Sequence, residues 1–170
     1  MRKNILVVLG GVSSEHEVSI ISGLQIVENI DKDAYNPIAL YINKSGDFFL
    51  MPSLKTKKDF LISKRILCTL GRNEKGTFVE YGPLRTKISI YSAYLALHGG
   101  MGEGGQLQGL LECFDFAYTS TDFESSAICM NKCISKEILA YYKIPTIQGI
   151  SVKDYDFKEN PENILKNIVK

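Results

Sequence analysis

ILVVLGG, residues 5–11, is an unbroken run of five apolar residues that stops at two glycines. Such a run is typical of a strand that is buried on both faces of a parallel sheet. Ser14 and Glu17 follow with the spacing of a capping box, which predicts that a helix begins there. The order of strand, glycine turn and helix predicts an α/β fold with crossover connections.

The sequence on either side of this stretch predicts further alternating elements. Further strands are expected at residues 37–42, 47–51, 77–81, 94–97 and 116–119, and helices at residues 106–114, 122–130, 131–142 and 162–169. The predicted fold class is α/β, with an open, mainly parallel sheet flanked by helices in a Rossmann-like domain, followed by the start of a second domain. We place the domains at residues 1–121 and 122–170.

The composition limits the class of protein. The 170 residues are 45% hydrophobic and carry a formal net charge of +1, which excludes a disordered chain and gives no reason to expect a nucleic-acid or membrane partner. Every apolar run is far shorter than the roughly 20 residues of a membrane span. The first apolar run ends without the small-residue cleavage site of a signal peptide. We therefore expect a cytoplasmic protein.

Two other features have competing interpretations. Residues 55–65 form a basic stretch interrupted by one aspartate, which is either a solvated face or a binding patch. The four cysteines form no CxxC pair and have no nearby histidine to complete a metal site. We expect buried thiols at these positions, which are Cys68, Cys113, Cys129 and Cys133.

The first strand leads into a polar loop, residues 10–17, with glycines followed by acidic residues. Glycines let the backbone approach a ligand closely, and a helix N-terminus favours anions. A carboxylate at Glu15 would favour an ammonium group, while nearby backbone amides would still attract a carboxylate. The loop therefore suits a zwitterion such as an amino acid. The alternative is that Glu15 and Glu17 only complement the helix dipole.

A second polar loop, residues 98–105, begins with His98 directly after a predicted strand, and the chain's two histidines lie one in each loop. Both loops would open at the carboxyl edge of the sheet, where ligands of such folds bind. His98 could act as an acid or base, or as a positive group facing a developing charge. Alternatively it is a structural histidine held by backbone groups. Glu103 would either orient His98 or cap the following helix.

Several common nucleotide and nucleophile motifs are missing. No GxGxxG follows the first strand, and the sequence contains no GxxxxGK[ST] loop and no GxSxG elbow. These absences disfavour a classical dinucleotide site, a P-loop and a serine hydrolase.

The two loops resemble signatures of the D-alanine–D-alanine ligase family. GGVSSEHEVS, residues 10–19, is similar to its first signature, and HGGMGEGGQLQGLLE, residues 98–112, to its second. Residues 118–132 resemble the family's entry into its central ATP domain. The resemblance extends from residue 4 to about residue 147.

This resemblance implies a pre-ATP-grasp domain of an ATP-grasp ligase that joins two D-alanines for peptidoglycan synthesis. Glu15 and His98 would be catalytic and, together with Ser13 and Gly99, would bind the first D-alanine. Lys132 would bind ATP phosphate. ATP and Mg²⁺ or Mn²⁺ would serve the complete enzyme, whose magnesium ligands are absent from this chain. The family also implies a homodimer, formed through the first domain.

The sequence departs from the family pattern at three positions. Gly104 and Asn131 stand where aspartate is usual, and Ser120 stands where glycine is usual. The family's ATP-cradling strands and magnesium carboxylates follow the equivalent of residue 170, so we expect no turnover from this chain alone. Two alternatives stay open: a related ATP-grasp ligase that accepts D-serine or D-lactate, and a degenerate, non-catalytic dimerisation module.

Overall fold

The computed structural model describes residues 2–147 and 149–168. The predicted α/β class is confirmed. The described residues form seven strands, β1 (Lys3–Gly10), β2 (Tyr35–Ile42), β3 (Phe48–Met51), β4 (Ile66–Asn73), β5 (Gly76–Tyr81), β6 (Thr86–Ser89) and β7 (Ser92–Leu95). They also form one 3-10 helix (Lys57–Asp59) and seven α-helices, α1 (His16–Asn29), α2 (Gly100–Glu103), α3 (Gln106–Cys113), α4 (Phe123–Met130), α5 (Lys132–Tyr141), α6 (Asp154–Glu159) and α7 (Pro161–Ile168). The parts of the predicted ranges that fall on Met1, Gln148, Val169 and Lys170 lie outside the described residues.

One sheet, in the order β6-β5-β4-β3-β2-β1-β7, organises the fold. β1 is parallel to both β2 and β7, and Leu6 pairs with Ile38 on one side and Ala93 on the other. The ladders from β2 through β6 are antiparallel. Short turns join β2 to β3, β4 to β5 and β5 to β6, as antiparallel neighbours allow, whereas residues 52–65 connect β3 to β4. The expected strand at residues 116–119 is reduced to one parallel bridge, Ala93 with Tyr118. The parallel pairing is thus centred on β1.

β1 is buried on both faces, as its apolar run predicts. Successive side chains of a strand point to opposite faces. Leu6 and Val8 belong to a core that includes Leu107 and Leu111 of α3. Val7 and Leu9 belong to the second core, which includes Leu24 and Val27 of α1. The two cores hold β1 between layers of helix, and this fixes the position of the loop that follows it.

The predicted capping box at the start of α1 is wrong. The helix begins at His16 with Glu15 as its N-cap, and the Glu15 side chain forms no capping hydrogen bond there. The Glu17 carboxylate instead pairs with the Lys44 ammonium at 2.7 Å. This hydrogen bond to Lys44 is the main reason that the pKa of Glu17 lies below its usual value. Glu17 therefore turns away from Ser14 towards the hairpin that joins β2 to β3.

The chain forms two compact units, Met1–Met130 and Asn131–Lys170. The first contains the sheet and α1 to α4, and α4 packs against α2 and α3. The second contains α5, α6 and α7, and no described residue of α5 or α6 is buried. The domain boundary expected after residue 121 stays a prediction.

The cysteines divide by position. Cys68 on β4 is buried, and burial raises the pKa of its thiol to about 12. The expectation of burial is wrong for Cys113, Cys129 and Cys133, which are exposed on α3, α4 and α5. Among the described residues, no helix has both the length and the apolar character needed to cross a membrane.

Candidate functional site

The two polar loops meet at the carboxyl edge of β1 and β7. These strands are neighbours and run parallel, so their loops leave the sheet on the same side. The first loop turns at Gly10 and Gly11, with φ of +89° and +94°. A side chain on Gly10 would overlap the carbonyl oxygen of Ile42, so the turn requires glycine. The Gly11 amide donates to that same oxygen at 2.8 Å, which anchors the loop to β2.

Ser13 ties the two loops together. Its hydroxyl donates to the carbonyl oxygen of His98 at 2.8 Å and accepts from the Glu15 amide at 3.1 Å. One side chain thus fixes both the residue before α1 and the first residue of the second loop. Ser13 was expected to bind substrate directly, and its observed bonds are to backbone atoms of both loops.

Glu15 places its carboxylate against the second loop. A Cβ built on Gly99 would lie 3.1 Å from a Glu15 carboxylate oxygen, and Gly99 has a φ of +65°. A larger residue at 99 would therefore both strain the backbone and crowd the carboxylate. Glu15 itself is exposed, so its charge can reach a ligand from solvent.

Hydroxyl groups from α1 hold His98. The imidazole Nε2 lies 2.8 Å from the Ser22 hydroxyl, and the His98 amide donates to the Ser19 hydroxyl at 2.8 Å. Ser19 in turn donates to the carbonyl oxygen of Glu15 at 3.1 Å. The ring is 38% exposed, which leaves one side open to a ligand. Neither Ser19 nor Ser22 was predicted.

Glu103 supports the second loop from α2. Its carboxylate accepts from the Gly99 amide at 3.0 Å and lies 4.0 Å from the His98 Nδ1 atom. Glu103 therefore accepts at the start of its own helix, α2, and lies beside the imidazole. The expected cap of the following helix, α3, is not observed, because the N-cap of α3 is Gly105, which forms no side-chain capping bond.

The second histidine has a structural role. His16 is 3% exposed, its Nδ1 atom lies 2.7 Å from the Gly11 carbonyl oxygen, and its Nε2 atom lies 3.2 Å from the Tyr41 hydroxyl. Both ring nitrogens are occupied within the first unit. His98 is thus the histidine that can face a ligand.

We call Ser13, Glu15, His98 and Gly99 the two-loop cluster. The structure brings together these four predicted site residues, and it buries neither Glu15 nor His98 among apolar side chains. The fifth, Lys132, is the first residue of α5 and belongs to the second unit. There it lines a cavity of about 250 Å³ together with Lys136 and Ser151.

The three departures from the family pattern have local explanations. At Gly104, an added Cβ would lie 2.9 Å from the Gly100 carbonyl oxygen, so the turn after α2 is tight. Ser120 has a φ of +137°, a conformation that favours the glycine usual there. Asn131 caps α5, because its side-chain oxygen accepts from the Cys133 and Ile134 amides at 3.1 and 3.2 Å. An aspartate would form the same cap.

These features define an α/β domain whose acidic and imidazole groups converge at the carboxyl edge of a parallel strand pair. The family model described as D-ala D-ala ligase N-terminus matches residues 4–121. The chain belongs to this family.

Individual proteins agree with the family match. The D-alanine–D-alanine ligase of Thermosipho melanesiensis is 35% identical over 161 residues, which are 91% of this chain and 42% of that protein. The structure of the Coxiella burnetii D-alanine–D-alanine ligase has a TM-score of 0.78 and 29% identity, covering 98% of this chain and 49% of that one. The Bacillus anthracis D-alanine–D-alanine ligase complexed with ATP has a TM-score of 0.57 and 30% identity, covering 94% and 43%. The chain spans less than half the length of each of these relatives.

Proposed function

We propose that this chain supplies the first D-alanine site of an ATP-dependent D-alanine–D-alanine ligase of peptidoglycan synthesis. The observation that carries the proposal is the exposed Glu15 carboxylate lying against Gly99, next to the half-exposed imidazole of His98. The ammonium group of an amino acid needs a negatively charged partner, and its carboxylate needs a positively charged one. This cluster offers an anion and a group that can carry positive charge.

Glu15 would bind the ammonium group of D-alanine through a charge-assisted hydrogen bond. An amine held as ammonium has no free electron pair, so it cannot act as the nucleophile. Glu15 would therefore set the direction of ligation, and the attacking amine must come from the second D-alanine.

His98 would face the carboxylate of the first D-alanine. In the first step a carboxylate oxygen attacks the γ-phosphorus of ATP and ADP leaves. In the second step the amine of the other D-alanine attacks the acyl carbon, phosphate leaves, and the amine nitrogen loses a proton. Positive charge near the carboxylate stabilises the charge that develops in both steps. Ser22 would keep the imidazole directed at that point.

Lys132 would contribute to binding the ATP phosphates. Its support is the cavity in the second unit, where Lys132 and Lys136 both line the wall, together with the ATP in the Bacillus anthracis relative. Among the described residues, no group of three His, Cys, Asp or Glu side chains could hold a metal ion. We therefore assign no residue to Mg²⁺ or Mn²⁺. We also propose that the complete enzyme is cytoplasmic and forms a homodimer.

Calorimetric titration with D-alanine tests the site. The Glu15→Gln variant should bind D-alanine about tenfold more weakly or worse, because one charge-assisted hydrogen bond is lost. Glu17→Gln is the matched control. It removes the same charge only two residues along the chain, but the Glu17 carboxylate pairs with Lys44 and is not part of the two-loop cluster. Equal affinities for the two variants would contradict the role of Glu15. Undetectable binding by the unmodified chain would favour a non-catalytic interaction module.

A further inference from the structure

A cavity of about 470 Å³ lies at the edge of the sheet where β1 and β2 begin. Three separate segments each bring one cation to its wall. Arg2 precedes β1, Lys32 precedes β2, and Lys55 follows β3. The two-loop cluster lies at the carboxyl ends of the same strands, so this amino-edge cavity is a different place in the first unit.

Two of the three cations of the amino-edge cavity, Arg2 and Lys32, contact backbone oxygens. The Arg2 guanidinium donates to the Lys32 carbonyl oxygen at 3.1 Å, and the Lys32 ammonium donates to the Glu28 carbonyl oxygen at 2.9 Å. No ion pair among the described residues includes Arg2, Lys32 or Lys55. Like charges gathered on one wall repel one another, and an anion between them would relieve that repulsion.

The carboxylates of Asp31 and Asp59, near the cavity, accept hydrogen bonds from backbone amides. Asp31 accepts from the Asp33 amide at 2.9 Å, and Asp59 accepts from the Thr56 amide at 2.8 Å. Hydrogen bonds from Thr56 are the main reason that the pKa of Asp59 is lowered. Neither Asp31 nor Asp59 lines the cavity. Asp59 also accepts from the Lys55 amide at 3.3 Å, and the Lys55 charge makes a minor contribution to its lowered pKa. The three cations therefore outnumber the acids beside the wall, which stays cationic.

The remaining wall is largely apolar. Val27 and Leu54, which are 1% and 4% exposed, line the cavity together with Pro37, Ile38 and Pro52. Cations above apolar side chains suit a ligand with one charged end and one apolar part, and the volume is in the range of small-molecule sites. We propose that the amino-edge cavity binds a small organic anion, with its phosphate or carboxylate group between Arg2, Lys32 and Lys55 and its apolar part against Pro37, Ile38 and Pro52.

Amide NMR titration with phenyl phosphate tests this site. Phenyl phosphate should shift the amides of Lys32, Asn36 and Lys55, and inorganic phosphate should bind several-fold more weakly because it cannot contact the apolar wall. The Lys32→Gln/Lys55→Gln double variant should lose about tenfold in affinity for phenyl phosphate, since two charge contacts disappear. Raising the ionic strength should weaken binding to the unmodified chain.

The matched control is Lys58→Gln/Lys64→Gln, which removes the same total charge from the basic stretch of residues 55–65 without altering the cavity wall. This variant should bind phenyl phosphate as the unmodified chain does. Equal loss in both double variants would mean general electrostatic attraction and would overturn the proposal. Shifts confined to Glu15 and His98, or equal affinity for the two phosphates, would overturn it as well. Dispersed amide spectra of both variants establish that they fold.

Discussion

The two compact units present their predicted site residues in different ways. In the first unit, Glu15 and His98 stand on loops fixed by a strand that is buried on both faces and by hydroxyl groups of α1. In the second unit, Lys132 begins a helix with no buried residue among those described. The comparison indicates that the proposed amino-acid site is fixed in the first unit by packing, whereas the proposed phosphate contact lies on a helix that Asn131 caps and that buries none of its described residues.

The largest effect should come from the core beneath the two-loop cluster. Leu6→Ala removes a fully buried side chain of β1 and should lower the free energy of unfolding by about 3 kcal/mol. The comparison substitution in the second unit, Ile134→Ala on α5, should change the free energy of unfolding by no more than about 0.5 kcal/mol, because Ile134 is 42% exposed. Urea unfolding of both variants measures the difference. Similar losses of unfolding free energy in the two variants would contradict the contrast between the packed core of the first unit and the exposed helix α5.

Removal of the Ser13 hydroxyl should weaken both D-alanine binding and stability. Ser13→Ala deletes the bonds to the His98 carbonyl oxygen and from the Glu15 amide, so the two loops are no longer tied. We expect D-alanine affinity to fall about fivefold, with a stability loss of about 1 kcal/mol. Ser14→Ala, at an exposed neighbour, is the control for calorimetry. Unchanged affinity for Ser13→Ala would show that the loops hold their positions without this bridge.

The cap of α5 should matter only to the second unit. Asn131→Ala removes the side-chain oxygen that accepts from two amides, which costs about 1 kcal/mol of local helix stability. Amide hydrogen exchange should speed up in α5 and stay unchanged in β1. Asn131→Asp keeps the acceptor and should restore slow exchange. Faster exchange in β1 would contradict the independence of the two units.

The smallest effect should be a gain at the strained serine. Ser120→Gly places glycine at a φ of +137° and should stabilise the first unit by about 0.5 kcal/mol. The gain is limited because the Ser120 hydroxyl accepts a long hydrogen bond from Gln108 at 3.4 Å. Thermal unfolding followed by circular dichroism measures it. A lower melting temperature would show that this bond outweighs the backbone strain.

Local patterns predicted part of this molecule. The unbroken apolar run of β1 specifies a strand covered on both faces, and the glycine-rich loops at its carboxyl edge indicate where ligands bind. The start of α1 was mispredicted because Glu17 pairs with Lys44, which a local capping rule does not consider. β4 and β6 were missed because β6 is mostly exposed, with only Ile88 partly buried, and because β4 ends in exposed polar residues, Arg72 and Asn73.

The sequence predicted the charged residues of the site but not the residues that hold them in position. Glu15 and His98 follow from residue type and position in the loops. The contacts of Ser19 and Ser22 with His98 can be recognised only in the folded structure, where α1 packs against the second loop. His98 lies 79 and 76 residues away from them along the chain. A sequence signal did exist, because both serines fall at helical spacing after Glu15, on one face of α1.

A crystal structure of this chain soaked with D-alanine tests the central claim most directly. We expect the ammonium nitrogen about 3 Å from a Glu15 carboxylate oxygen, with the ligand carboxylate directed towards His98. D-alanine bound with its carboxylate at Glu15, or bound only outside the two-loop cluster, would contradict the proposed function.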